Sequence, residues 1–200
     1  MPRTLNEKEI TAFREKLCSA ASHLFVEKGV EGVTMRELAT ALGVSAMTPY
    51  RYFRDKNEIL AMVRARAFAR FADTLENAYN IQNTTLERAI SMRDAYMRFA
   101  LENPDSYRLM FDLSQPDGAN YLELRSAMNR CSVWVSSYVR ALVAEGILAG
   151  NPGLIGYVFW SMLHGAISLQ LADKMRPEYD IMTIIKAAHD ALISGFRPQN

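Results

Sequence analysis

The chain has 200 residues, half of them hydrophobic, and 23 Lys/Arg against 22 Asp/Glu; this is an ordinary globular composition whose net charge of +1 does not by itself suggest a nucleic-acid partner. The start, MPRTLNEKEI, has no apolar run to serve as a secretory signal, and Cys18 and Cys131 lie far apart in no metal-like spacing, so a reducing cytoplasm is the expected home. No glycine-rich phosphate loop, Gly-x-Ser-x-Gly elbow or paired metal-type histidines occurs, and His23, His164 and His189 are scattered, so no catalytic residue, cofactor or metal is expected.

No segment alternates apolar and polar residues at period two, whereas several show the spacing of helices, so the expected fold is all-α with about nine helices. Cap pairs place the starts. Asn6 with Glu9, Thr34 with Glu37, Asp55 with Glu58 and Thr84 with Glu87 each fit the pattern in which a cap side chain bonds the third helical N–H and an acidic residue reaches back.

The first helix, about 7 to 28, presents Phe13, Leu17, Ala20, Leu24 and Phe25 on one face and stops at Gly29. A short second helix follows Thr34 and ends at Gly43. The third begins after Ser45, a good N-cap, and runs to about Phe53, despite Pro49. Counted from Ser45, Pro49 is the fourth helical residue, so it forfeits one hydrogen bond and predicts a distorted or 3-10-like first turn. Helix, turn and helix within twenty residues is helix-turn-helix spacing, and Phe53, Leu38, Ala41 and Val44 are the expected core of this small bundle.

A longer helix follows from Asp55 to about Tyr79, then helices near 85–102, 104–112, 119–145, 152–173 and 181–194. Asn103-Pro104 and Asn151-Pro152 read as cap-then-proline starts, and Gly146 and Gly195 as stops. From Gly146 to Ala172 no residue is charged, which is a membrane-span signal by length. Asn151-Pro152 splits that run, and His164, Gln170 and two serines follow, so a helix buried among other helices is the better account. Charge is placed unevenly but mildly: residues 1–66 hold 11 Lys/Arg and 8 Asp/Glu, residues 67–200 hold 12 and 14.

Residues 17–60 resemble the DNA-binding domain of the tetracycline-repressor-like (TetR) family of transcriptional regulators. The matching positions are Leu24-Phe25 with Glu27-Lys28-Gly29, Thr34, the RELA core at 36–39, Gly43-Val44-Ser45, Tyr50, Phe53 and Lys56. Trp160, His164 and Gly165 also look like the Trp-His-Gly signature of one class of that family's C-terminal ligand domains. A departure is Pro49, where the family more usually has an aliphatic residue.

The residues agree with the resemblance. The N-terminal end of a recognition helix reaches base edges in the major groove, so Ala46, Met47, Thr48, Tyr50 and Arg51 face the groove. Thr48 and Arg51 can hydrogen-bond there, and Ala46 and Met47 suit thymine methyls. Thr34, Tyr50, Tyr52 and Lys56 suit phosphates. The plain alternatives stay open: Tyr50 as a packed aromatic, and Lys56 with Arg54 as a solvated pair.

The remainder, 56–200, outweighs the head (1–55) and reads as a ligand-binding and dimerisation domain. Ser161, Gly165, Ser168 and Ala172 form a stripe of small residues that lets another helix approach, and Ile181, Ile185, Ala188 and Leu192 share one face of the last helix. The resemblance implies that these two helices pair with their copies in a homodimer; packing within one chain is the alternative. Met92, Tyr96, Phe99, Tyr107, Met110, Phe111, Trp134, Tyr138, Trp160, Leu163 and His164 are candidates to line an apolar pocket, with His164 or a tyrosine hydroxyl as polar anchor. Such stripes also build plain cores. The expectation is thus a dimeric regulator, a repressor that leaves a pseudo-palindromic DNA operator when a small apolar or aromatic molecule binds, with no membrane partner. The competing reading is a helical carrier or sensor of apolar ligands whose head is vestigial or binds protein.

Overall fold

Side-chain caps decide where the helices begin. Thr34 and Thr84 each form both halves of a capping box, with Glu37 and Glu87 respectively. Asp55 caps its helix by accepting from Glu58 N–H at 2.9 Å, while the Glu58 carboxylate reaches one residue further back, to Arg54 N–H at 2.7 Å. Asn151 accepts from the N–H groups of Gly153 and Leu154, and Asp180, unmarked by any sequence pattern noted above, caps the last helix. Asn103 is a C-cap, bonding the carbonyl of Phe99 through its own N–H and side chain. Asn6 lies outside the described residues.

The computed structural model describes residues 7–81, 84–111 and 120–198. Among them are eight α-helices and no strand: α1 Glu7–Lys28, α2 Met35–Ala41, α3 Lys56–Ile81, α4 Thr85–Glu102, α5 Pro104–Phe111, α6 Leu122–Ala144, α7 Pro152–Leu171 and α8 Ile181–Gly195. The ninth expected helix, after Ser45, is a 3-10 turn, Pro49–Arg51.

The chain divides into two compact units, one of residues up to Ala69 with Asp105–Met128, the other of Arg70–Pro104 with Asn129–Asn200. In the first, Leu17 and Phe25 of α1, Leu38 of α2, Phe53, and Ile59, Leu60 and Val63 of α3 close one core with Leu109 of α5. Each such side chain contributes about 1.5–3 kcal/mol of burial. The expected boundary after residue 55 therefore falls inside this unit, because the apolar face of early α3 is needed to fill its core. Ala41, expected in the core, is exposed; Ala39 takes the inward position.

In the second unit Phe71 packs on Tyr96 and Phe99 of α4, ring centroids 4.9 and 4.8 Å away. Phe159 of α7 meets Tyr138 of α6 at 6.3 Å and His189 of α8 at 5.3 Å. Burial pushes the Cys131 thiol up to about 12 here, and the Cys18 thiol in the first unit up to about 11, so both behave as apolar fillers at neutral pH.

Candidate nucleic-acid interface and ligand cavity

The segment after α2 turns sharply. Gly43 has φ +65°, a conformation glycine takes without strain, and its N–H bonds the Thr40 carbonyl. Pro49 shapes the residues beyond it. In an α-helix the Ser45 carbonyl would accept from the N–H of residue 49, which proline lacks; it accepts instead from Thr48 N–H at 2.9 Å. Arg51 N–H to Thr48 and Tyr52 N–H to Pro49 continue the tighter pattern, and only Phe53 N–H to Pro49 spans four residues. The expected α-helix is corrected to a turn plus a 3-10 segment, with the distortion extending past the first turn. Ser45 does not cap it through a backbone N–H; its hydroxyl pairs with that of Thr48 at 2.9 Å.

Phe53 and Pro49 anchor this segment inward, and Arg14 lies over the Phe53 ring at 4.7 Å. The opposite side is open. Met47 is 69% exposed, Tyr50 51%, and Ala46 and Arg51 are exposed. The Arg51 guanidinium forms no hydrogen bond or ion pair among the described residues. Water-exposed Met and Tyr beside an unengaged arginine give a surface that can meet base edges without rearranging.

Three expected DNA contacts are otherwise occupied. The Thr34 hydroxyl accepts from Glu37 N–H and donates to Glu37 Oε2 at 3.0 Å. Lys28 Nζ holds the other Glu37 oxygen at 3.0 Å, and chiefly for that reason the Glu37 carboxyl is held down to about 2. Lys56 Nζ donates to the Val30 carbonyl at 2.9 Å and to Glu31 at 3.2 Å, joining α3 to the end of α1. The Tyr52 ring packs on Phe13 at 4.5 Å and is half-buried. Arg36 on α2 was missed: it is exposed, opposite the buried Met35, Leu38 and Ala39, and the helical period of those three is the signal that marks it.

In the second unit a small cleft of about 10 Å³ is lined by Leu75, Met92, Arg93, Tyr96, Tyr138, Trp160 and Leu163. It is nearly shut, with room for one water at most. Trp160 Nε1–H donates to the Tyr96 hydroxyl at 3.1 Å across it. Of the expected lining, Met92, Tyr96, Tyr138, Trp160 and Leu163 come together. Phe99 packs on Phe71, Trp134 on Tyr79, and His164 stacks on Trp160 at 5.4 Å without lining the cleft. Tyr107, Met110 and Phe111 belong to the first unit, where Phe111 meets Phe68 and the Met110 carbonyl accepts from Arg64. Sequence reasoning grouped them because aromatic periodicity marks buried faces without saying which unit they face. Arg93, the charged member of the lining, was missed because an arginine next to Asp94 reads as surface charge.

On α7, Ser161, Gly165, Ser168 and Ala172 are exposed, flanked by exposed Leu154, Tyr157 and Leu169. On α8 the expected face turns the other way: Ile181 and Ile185 are buried within their own unit, and Ala188 and Leu192 are half-buried. By length and composition α7 could cross a membrane, and only 28% of its apolar window is buried. Its outer face is thus a surface for something to cover.

Known proteins share both parts of the chain. Residues 17–63 match the family described as bacterial regulatory proteins, tetR family, and residues 89–192 match a tetracyclin repressor-like C-terminal domain, a description that does not single out the Trp-His-Gly class. An uncharacterized HTH-type transcriptional regulator of Haemophilus influenzae is 32% identical over 94 residues, 47% of this chain and 50% of that one. The HTH-type transcriptional activator FasR of Mycolicibacterium smegmatis is 28% identical over 50% of this chain and 45% of its own. The chain spans about half the length of the curated relatives it matches. Among solved structures, a protein of unknown function from Rhodococcus sp. RHA1 superposes with TM-score 0.81 at 24% identity, covering 99% of this chain and 100% of that one. The TetR family transcriptional regulator PfmR of Thermus thermophilus gives 0.70 at 25% identity, with 91% and 99% covered. The fatty acid degradation regulator FadR of Bacillus halodurans gives 0.75 at 17% identity, with 98% and 100% covered, and so speaks for the fold alone.

Proposed function

Because the chain belongs to the TetR family of bacterial transcriptional regulators, we propose that it binds a pseudo-palindromic operator as a homodimer and leaves it when a small apolar or aromatic molecule enters the second unit. The observation that carries this reading is the open face after Gly43, where Met47, Tyr50 and Arg51 stand in solvent on a turn held from behind by Phe53 and Pro49. Ala46, Met47, Thr48 and Arg51 meet base edges, Arg51 as a donor to guanine, with Arg36 and Tyr50 beside the phosphates. Thr34 and Tyr52 act by holding α2 and α1 in place. Lys56, held by the Val30 carbonyl and by exposed Glu31, would turn its ammonium toward a phosphate most readily by giving up Glu31, a surface pair that costs little to break.

The dimer face is the outer side of α7, with the small-residue stripe at its centre and Leu154, Tyr157 and Leu169 around it, rather than the Ile181 and Ile185 side of α8. A second copy covers that apolar surface in a protein that works on chromosomal DNA in the cytoplasm. Release needs a ligand that prefers the arrangement unable to hold the operator, with a coupling of about 1–3 kcal/mol. α3 offers a path, since it begins at Lys56 in the first unit and carries Leu75 of the cleft. Repression is the direction proposed; the activator FasR makes activation the outcome to distinguish.

A mobility shift with the chain's own promoter region tests the reading. Specific binding by two copies, about a thousandfold or more tighter than to scrambled DNA, supports it. Equal affinity for both, with apolar ligands still bound, would leave the carrier reading.

A further inference from the structure

The cleft of the second unit has a chemical bias beyond being apolar. Its polar side chains all bring hydrogen-bond donors: the Arg93 guanidinium, the Trp160 indole N–H and the Tyr96 and Tyr138 hydroxyls. No carboxylate is among the lining residues, and burial holds the Tyr138 phenol protonated.

Arg93 is 11% exposed, and a guanidinium so far withdrawn from water needs an anion. Asp94 supplies one only in part. Its Oδ1 alone accepts from both Nε and Nη2, each at 2.8 Å, so the two-oxygen fork that suits a guanidinium is not formed. Asp94 is also the next residue along α4, about 100° round the helix, and is not part of the cleft wall. Three flat rings, Tyr96, Tyr138 and Trp160, make up half of the remaining lining, which favours a planar guest.

We infer that the effector of this site is a planar aromatic carboxylate whose acid group pairs with Arg93 and whose ring lies among Tyr96, Tyr138 and Trp160. This rests on the cleft being the ligand site of the proposed function. Entry separates Trp160 from the Tyr96 hydroxyl and widens the space between their rings.

Calorimetric titration of the full-length protein with naphthoate, naphthylmethanol and naphthylmethylamine tests it. The acid should bind about tenfold or more tighter than the alcohol, and the amine weakest. Arg93→Gln should remove the advantage of the acid while the alcohol still binds, which also reports that the cleft is intact; Arg93→Lys should restore part of the advantage. Equal binding of acid and alcohol by the native protein, or an acid preference that survives Arg93→Gln, overturns the inference while leaving the cleft a ligand site. If none of the three binds, the cleft is no ligand site and both readings fall.

Discussion

The proposed DNA-reading face and the proposed ligand cleft are built from similar residues, methionine, tyrosine and arginine, yet they stand in opposite states. The face after Gly43 is open: Met47 and Tyr50 are mostly in water, and a buried proline and phenylalanine set the turn from behind. The cleft is nearly shut, with an indole bonded to a phenol across it. A partner as large as a duplex can be met by a surface fixed in advance. A small ligand must be enclosed, so its site opens at the cost of contacts already made. On the proposed reading one site is preset and the other conditional, which is what ligand control of DNA binding would require.

Salt separates the two most widely. Operator affinity should fall by orders of magnitude between about 50 and 200 mM salt if several phosphates are neutralised. Binding in the cleft should change by no more than a few-fold, since Arg93 is largely withdrawn from solvent. Parallel salt series by fluorescence anisotropy and calorimetry check this, and equal slopes would break the distinction.

Substitutions in the head come next. Arg51→Ala should cost about 1–3 kcal/mol on the best operator and relax preference at one position per half-site. Lys56→Ala should weaken all sequences alike and by less, because Lys56 is engaged with Val30 and Glu31. If selections with the two variants lost the same base preference, the division between base and phosphate contacts would be wrong. In the cleft, Tyr96→Phe removes the acceptor of the Trp160 N–H and should cost about 0.5–1.5 kcal/mol of stability, read as a lower Tm, without changing DNA affinity.

Acid should produce the smallest difference and distinguish the two units. His189 is buried, and desolvation followed by Arg93 lowers its pKa below the ordinary 6.5, with Asp190 opposing. The folded form therefore declines a proton that the unfolded form accepts, so stability of the second unit drains as pH falls below about 6.5. The Glu37 carboxyl, held near 2 against an ordinary 4.5, keeps its capping contribution above 4.5 and loses it only as pH falls from there toward 2. Both tryptophans, Trp134 and Trp160, lie in the second unit. Tryptophan emission in thermal melts should shift to lower temperature below about pH 6.5, before circular dichroism reports loss of the head.

Most helices, the caps at Thr34, Asp55, Thr84 and Asn151, and the head-core positions Leu38 and Phe53 were readable in the sequence because they depend on local spacing. Thr34 with Glu37 and Thr84 with Glu87 are three-residue patterns, and both boxes form. Pro49 was half readable. Its missing N–H foretold a 3-10 turn, but the replacement of the whole helix depends on Thr48 N–H taking the Ser45 carbonyl, a choice that leaves no mark in composition. Partners far apart in the chain were hidden. Lys56 has an ordinary basic appearance, and only the fold puts Val30 and Glu31 beside it. Ile181 and Ile185 had the period of a helix face, which is equally the period of an inward face. Arg93 looked like surface charge because burial of a long side chain depends on which helices close over it.

The central claim is that the face after Gly43 reads DNA sequence. Selection of bound duplexes from a random pool by the native protein tests it most directly. The account predicts enrichment of a pseudo-palindrome, two half-sites bound by two chains, with one base position in each half losing its preference in Arg51→Ala. A pool that stays random after repeated rounds, in a protein that still binds naphthoate, would contradict it.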